Sequence, residues 1–221
     1  MIHQKPIVTE PTSDNEIITR VLKGEKNLYA ILVRRYNQRL FRIGMSIMND
    51  DAEVDDIMQV AYINAYEHLE KFAFKSSFST WLTRILINEC LSRLKKKGKS
   101  IDINDEIMDK QIYQQHFTEV QTPGTKMLND ELKTILETAI RQLPEKYRTV
   151  FIMREIEDMN VAETKECLDI SESNVKVRLN RAKSLLRTSL SAYYKNDDIL
   201  HFHLTRCNSM VERVMKEIES L

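Results

Sequence analysis

The 221-residue chain predicts an all-α protein: two small helical domains joined by an acidic linker, with a C-terminal helical extension. Three observations carry that prediction. Only four glycines and four prolines are present, so long segments lack the residues that break helices. Apolar residues recur at three- and four-residue spacings, and the strict alternation of a half-buried strand is absent. Leu, Ile, Glu, Lys and Arg are plentiful, and most of these lose little on entering a helix.

In chain order, residues 1–12 read as a disordered polar tail. Ser13, with Glu16 three positions on, reads as a capping box that starts a helix. Helical periodicity then runs, with one break near Gly24, through LYAILVRRYNQRLFRIGMSIM and stops at Asn49-Asp50-Asp51. A second helix over about 52–70 places Val54, Ile57, Met58, Ala61, Tyr62, Ala65 and Leu69 on one side. A short aromatic and polar loop, 71–79, leads to a third helix from Thr80 to about Lys97, which closes a first domain at 13–97. The linker, 98–128, holds Gly98, Pro123 and Gly124 together with Asp102, Asp105, Glu106 and Asp109.

The second domain, 129–188, begins with a helix that ends at Leu143, because Pro144 cannot continue it but suits the start of the next. After PEKYRTVFIMREIED comes the most informative stretch, 160–187. Asn160 and Glu163 form a start signal, Asp169-Ile170-Ser171 breaks the run, and Ser171 is a good N-cap for a second helix. There Val175, Leu179, Ala182 and Leu186 make an inward stripe, while Ser173, Asn174, Lys176, Val177, Asn180, Arg181 and Ser184 face outward. A helix packed on one side and offering cations and amides on the other suits a DNA major groove, so the segment reads as a helix-turn-helix. Residues 189–221 form the extension, with Leu200, Leu204, Val211, Val214, Met215 and Ile218 at mostly helical spacing.

Formal net charge is zero, so the whole molecule has no general attraction to nucleic acid. Locally the balance differs. Residues 50–70 hold seven acids and no Lys or Arg, whereas 71–99 hold eight Lys or Arg against Glu89 alone. Exposed charges are screened beyond about 8 Å at physiological salt, so these blocks act as separate surfaces. Cys90, Cys167 and Cys207 are scattered and odd in number, which implies no disulfide framework. The N-terminus lacks the pattern of a secretory signal and no run is long enough for a membrane span, so a cytoplasmic location is expected. No nucleophile–base pairing or phosphate-cradling glycine loop stands out. The expectation is a protein that is not an enzyme, with no cofactor and no small-molecule substrate.

Three segments, AEVDDIMQVAYINAYEHLEKF, FKSSFSTWLTRILINECLSRLKKK and LPEKYRTVFIMREIEDMNVAETKECLDISESNVKVRLNRAKSLLR, occur in the order found in bacterial RNA polymerase sigma factors. The chain resembles the small extracytoplasmic-function (ECF) type of that family. The resemblance implies a factor that binds core RNA polymerase and directs promoter recognition and melting, with promoter DNA and an anti-sigma factor as further partners. It implies that 13–97 is the region 2 domain that reads the −10 element, and that 129–188 is the region 4 domain that reads the −35 element. Asp55, Asp56 and Gln59 match the positions that dock on the polymerase's largest subunit. Phe74, Lys75, Ser76, Ser77 and Ser79 match the loop that holds unstacked −10 bases, and Arg84, Asn88, Arg93, Lys95 and Lys96 the helix that follows it. Ser173, Asn174, Lys176, Val177, Arg178 and Arg181 match the −35 recognition helix, with Arg178 suited to phosphate because it points partly toward the core. Trp81 and Phe78 are assigned to packing. The acidic linker is expected to lie in the polymerase's RNA path.

The chain departs from the family pattern in places. Asp169 stands where the turn usually has glycine, and Val60 where the docking helix usually has an acid. Lys165 stands where a small residue is usual, and its spacing puts it on the packed face beside Val161 and Leu168, so Lys165→Ala is expected to stabilise the domain. In the extension, His201, His203 and Cys207 suggest half a zinc pattern, but Met210 occupies the place of a further cysteine, so no metal is expected. Two other readings stay open at this point: a helix-turn-helix regulator with an N-terminal sensing domain, and a helical protein-interaction module.

Overall fold

The computed structural model describes residues 13–98, 125–191 and 204–219. The N-terminal tail, most of the linker and the histidines of the zinc suggestion lie outside them, as does the side chain of Cys207. Among the described residues the chain is all helix, turn and bend.

Ser13 caps α1 (Asp14–Leu22) by accepting the Glu16 N–H at 3.3 Å. Asp14 then accepts from Arg35 and Tyr36, which ties α1 to α2 (Tyr29–Met48). Between them Gly24 takes φ +104°, a value that an L side chain rarely adopts. Asn49 ends α2 in the left-handed region and Asp50 starts α3 (Asp51–Glu67), accepting the Glu53 N–H at 3.1 Å. α3 is shorter than anticipated, because Leu69–Lys71 form a separate 3-10 turn. α4 (Phe78–Lys96) begins two residues before Thr80, since Ser77 accepts the Thr80 N–H at 3.1 Å and caps it.

α2, α3 and α4 pack around Leu32, Leu40, Ile43, Val54, Ala61, Leu82 and Leu86, all essentially inaccessible to water. α2 and α3 approach closely at Gly44. A Cβ there would meet Val54 Cγ1 at 2.8 Å, and the β-branched valine has little freedom to retreat. Gly44→Ala is therefore expected to cost about 1–3 kcal/mol of stability, measured by denaturant unfolding. Val54→Ala in the same chain should recover part of that loss. An unchanged midpoint for Gly44→Ala would show that α2 and α3 can move apart freely.

The C-terminal unit starts with α5 (Thr125–Gln142). Pro144 follows at the cap position of α6 (Glu145–Phe151), one residue before the helical start that its ring geometry suggested. α6 runs into a five-residue π segment (Ile152–Ile156), which periodicity did not reveal. Asn160 and Glu163 form the anticipated capping box at the head of α7 (Val161–Leu168), with reciprocal bonds of 2.9 and 2.8 Å. Asp169 adopts φ 52°, ψ 47°, the left-handed geometry for which glycine is usual. Ser171 Oγ accepts the Asn174 N–H at 3.2 Å, and α8 (Glu172–Ser191) follows with Val175, Arg178, Ala182, Leu185 and Leu186 buried. The last element is α9 (Leu204–Glu219).

The expectation for Lys165 fails. Lys165 is not on the packed face: its side chain is half exposed and Nζ lies 3.5 Å from Glu172. The short α7 keeps Thr164 and Leu168 inward and adds Cys167 to them, which leaves Lys165 at the edge of that face. Removing Lys165 thus loses a surface pair worth about 0–1 kcal/mol and relieves nothing buried.

The two helical units are in contact. Arg148, nearly buried, donates from Nε to Ser46 O of α2 at 2.7 Å and from Nη1 to the carbonyls of Arg141 and Leu143 at 2.7 and 3.2 Å. Ser46 Oγ meets Thr149 Oγ1 at 3.2 Å. A single buried apolar cluster runs from α1–α4 into Val150, Met153, Met159, Cys167 and Val175.

Candidate functional site

The inward turn of Val54, Ile57, Met58 and Ala61 leaves Asp55, Asp56 and Gln59 on the outer side of α3, all exposed. Val60 and Ile63 are exposed next to them. The shallow groove there, about 630 Å³, is shared with Val33, Asn37 and Phe41 of α2. Asp56 lies 3.7 Å from Arg93 of α4, so the acidic and basic blocks meet at this edge.

The 72–78 loop is built on an aromatic stack. Phe72 pairs with Phe74, Trp81 and Phe78 at ring separations of 4.8, 5.3 and 5.8 Å. Phe72 and Phe78 are buried, and Trp81 is partly so, in keeping with a packing role. Phe74 differs: it is about half exposed and holds φ +55°. A bulky residue rarely accepts that conformation, and such strain concentrates where a chain must present a group. Lys75 is exposed and Ser76 half-buried beside it. Ser77 is exposed but its hydroxyl is engaged as the α4 cap. Ser79 is buried, with its hydroxyl accepting from Arg39, so it is not presented with the loop. Arg84, Asn88, Arg93, Lys95 and Lys96 are exposed along α4.

On α8, Ser173, Lys176, Val177 and Arg181 are exposed and Asn174 partly so. Val177 is 63% exposed, which is unusual for an apolar side chain at the middle of a helix face. Arg178 falls on the inward stripe and is buried. Burial is the main influence on its guanidinium and lowers its pKa, opposed by the nearby Tyr147 phenol. Its place is structural in this arrangement, where the sequence suggested phosphate.

Sequence reasoning missed the residues that join the two units. Glu157 is buried at the end of the π segment and accepts from Arg39 Nε at 3.1 Å and Arg42 Nη1 at 2.9 Å. Its backbone carbonyl accepts from Arg39 Nη2 at 2.9 Å. Nearby, Thr80 Oγ1 approaches Glu163 at 3.5 Å and Cys167 Sγ approaches Thr80 O at 3.4 Å, so α7 covers the start of α4. One signal was available: Arg148 is spaced four residues from both Pro144 and Ile152, on an otherwise apolar stripe.

Burial pushes the Cys167 thiol up to about 12, and the Cys90 thiol likewise. In a Cys207→Ser background, both should resist a disulfide reagent at pH 8 while the protein is folded, and react within minutes in guanidinium. Rapid labelling of Cys167 in the native protein would show that α7 leaves α4 readily.

The geometry so far is two exposed DNA-facing candidates and one acidic face on separate elements. Comparison with known proteins gives it a family. The Sigma-70 region 2 family model matches residues 32–100, and the Sigma-70 region 4 model matches 133–186. The ECF RNA polymerase sigma factor SigW of Bacillus subtilis is 30% identical over 176 residues, covering 78% of this chain and 94% of that protein. The chain belongs to the ECF sigma factors. As such it is a transcription initiation factor that directs promoter recognition, and not an enzyme. The solved structure of CnrH in complex with the cytosolic domain of CnrY shares the fold at TM-score 0.57 and 21% identity, covering 82% of this sigma factor and 99% of that chain. The sigma factor RpoE of Bartonella quintana, solved with the anti-sigma factor NepR, matches at TM-score 0.54 and 19% identity over 74% of this chain and 96% of its own. No described helix of this sigma factor is long and apolar enough to cross a membrane, and among the described residues no group of three or more His, Cys, Asp or Glu could hold a metal ion.

Proposed function

We propose that this sigma factor, with 13–97 as its region 2 domain and 129–188 as its region 4 domain, docks on core RNA polymerase through Asp55, Asp56 and Gln59. The exposed Val60 and Ile63 would add apolar contact to that face. Phe74, Lys75 and Ser76 hold unstacked −10 bases, and Arg84, Asn88, Arg93, Lys95 and Lys96 follow the adjoining strand and its phosphates. Ser173, Asn174, Lys176, Val177 and Arg181 enter the −35 major groove. There Val177 suits a thymine methyl, and each base contact is worth about 1–3 kcal/mol of discrimination. The factor works in the cytoplasm, where polymerase and promoter meet, and is held in check by an anti-sigma factor, as RpoE is bound by NepR in the structure that shares its fold.

The observation that carries the reading is the separation of surfaces: an acidic exposed face on α3, and basic exposed faces on α4 and α8. A helix-turn-helix regulator with a sensing domain is set aside because the N-terminal unit matches Sigma-70 region 2. Run-off transcription with core enzyme tests the assignment. Asp55→Lys with Asp56→Lys should lower retention on core polymerase at least tenfold, because charge facing a basic partner is reversed. Binding of isolated −35 duplex should be unchanged. Full retention by the double variant at moderate salt would remove α3 as the docking face.

A further inference from the structure

Two apolar surfaces of this chain face water. On α9, Met210, Val211, Val214, Met215 and Ile218 are each at least 45% exposed. Their spacing puts them on one side of the helix, which makes a stripe of the kind that packs against a partner. The second surface is a groove of about 560 Å³ between the two units, floored by Phe41 and Met45 of α2, Leu136 and Ile140 of α5, and Ile152 and Ile156 of the π segment. Leu136 and Ile156 are about two-fifths exposed. Neighbouring apolar side chains left open in this way mark an interaction site.

We propose that α9 folds back and seats its apolar face in this groove, within the same chain. The route is short. Leu190, one residue before the end of α8, packs in the same cluster as groove-lining Ile140, so the chain leaves α8 beside the groove. Residues 192–203 join the two helices, and a segment of that length reaches at most about 40 Å. Tethering at that length gives a local concentration on the order of millimolar, so even a weak helix–groove contact is mostly formed. Because the groove is made by both units, the seated helix clamps region 2 against region 4.

A fluorescein-labelled peptide of residues 204–221 tests this in the full chain. Val214→Asp with Ile218→Asp leaves both cores intact, since these positions are exposed, but removes the stripe. The peptide should bind that variant at least tenfold more tightly than it binds the unaltered chain, whose groove is filled by its own α9. Leu136→Asp added to the variant should abolish binding, with helicity by circular dichroism unchanged. Equal binding to both chains, or binding to neither, overturns the proposal. So does sedimentation of the unaltered chain as a dimer that the variant does not form, which would give the stripe to a second copy.

Discussion

Glu157→Ala should let the two helical units of this sigma factor part. The carboxylate is buried and takes hydrogen bonds from Arg39 and Arg42, so its loss removes an acceptor from each guanidinium. Removing one partner of a fully buried pair costs about 3–5 kcal/mol. Here the arginine side chains are 30% and 44% exposed and water can reach them, which discounts the figure to about 2 kcal/mol. That is a shift of roughly thirtyfold toward the separated arrangement. Cys167 labelling should accelerate by a similar factor in the Cys207→Ser background, while far-ultraviolet circular dichroism stays the same. The start of α4, covered by α7 in the joined arrangement, would become accessible, so the variant should also bind a −10 bubble more readily. Unaltered labelling of Cys167 would show that the apolar cluster alone keeps the units together.

Phe74→Gly should separate promoter opening from stability. Glycine accepts φ +55° without a steric cost, which relieves on the order of 1 kcal/mol. The substitution also ends the 4.8 Å ring contact with Phe72, a loss of about 0.5–1.5 kcal/mol. These nearly cancel, so the melting temperature should move little. If Phe74 stacks on a flipped base, the same change removes about 1–3 kcal/mol from the open complex. Permanganate footprinting should then show opening weakened by roughly 5- to 150-fold, with duplex −35 binding intact. A variant that opens the promoter as well as the parent would leave Phe74 a loop residue and nothing more.

Much of this architecture was readable from residue order because local signals coincide with element ends. Pro144, the Asn160–Glu163 pair and Ser171 each mark a start, and Asn49 and Asp169 each mark a stop in the left-handed region. The outward side of α3 and the exposed positions of α8 followed from the same periodicity, since knowing the buried face fixes its opposite. What covers a buried face is a different matter. Nothing in the spacing around Ser79 said that Arg39 would claim it, and the spacing turned Arg178 only partly toward the core, short of the burial it has against α6. Lys165 was misplaced because it borders the face of Thr164 and Leu168 in an eight-residue helix, and the structure centres that face on Thr164, Cys167 and Leu168, which leaves the lysine at its edge. The π segment was hidden for the same reason: one extra residue per turn shifts the register after Phe151 and brings Glu157 to α2, as no 3.6-residue pattern could forecast.

Arg148 carries a consequence for how this molecule tolerates change. All three of its recorded acceptors are main-chain oxygens, on Ser46, Arg141 and Leu143. A fastening of that sort ignores side-chain identity at the positions it grips, so Ser46 could drift to another small residue and leave the guanidinium seated. Lysine at 148 would keep the positive charge but has no planar fork to span carbonyls on two helices at once. At this contact, unlike the one at Glu157, the vulnerable atoms therefore belong to a single arginine, and its far side is backbone, which point mutation cannot easily erase.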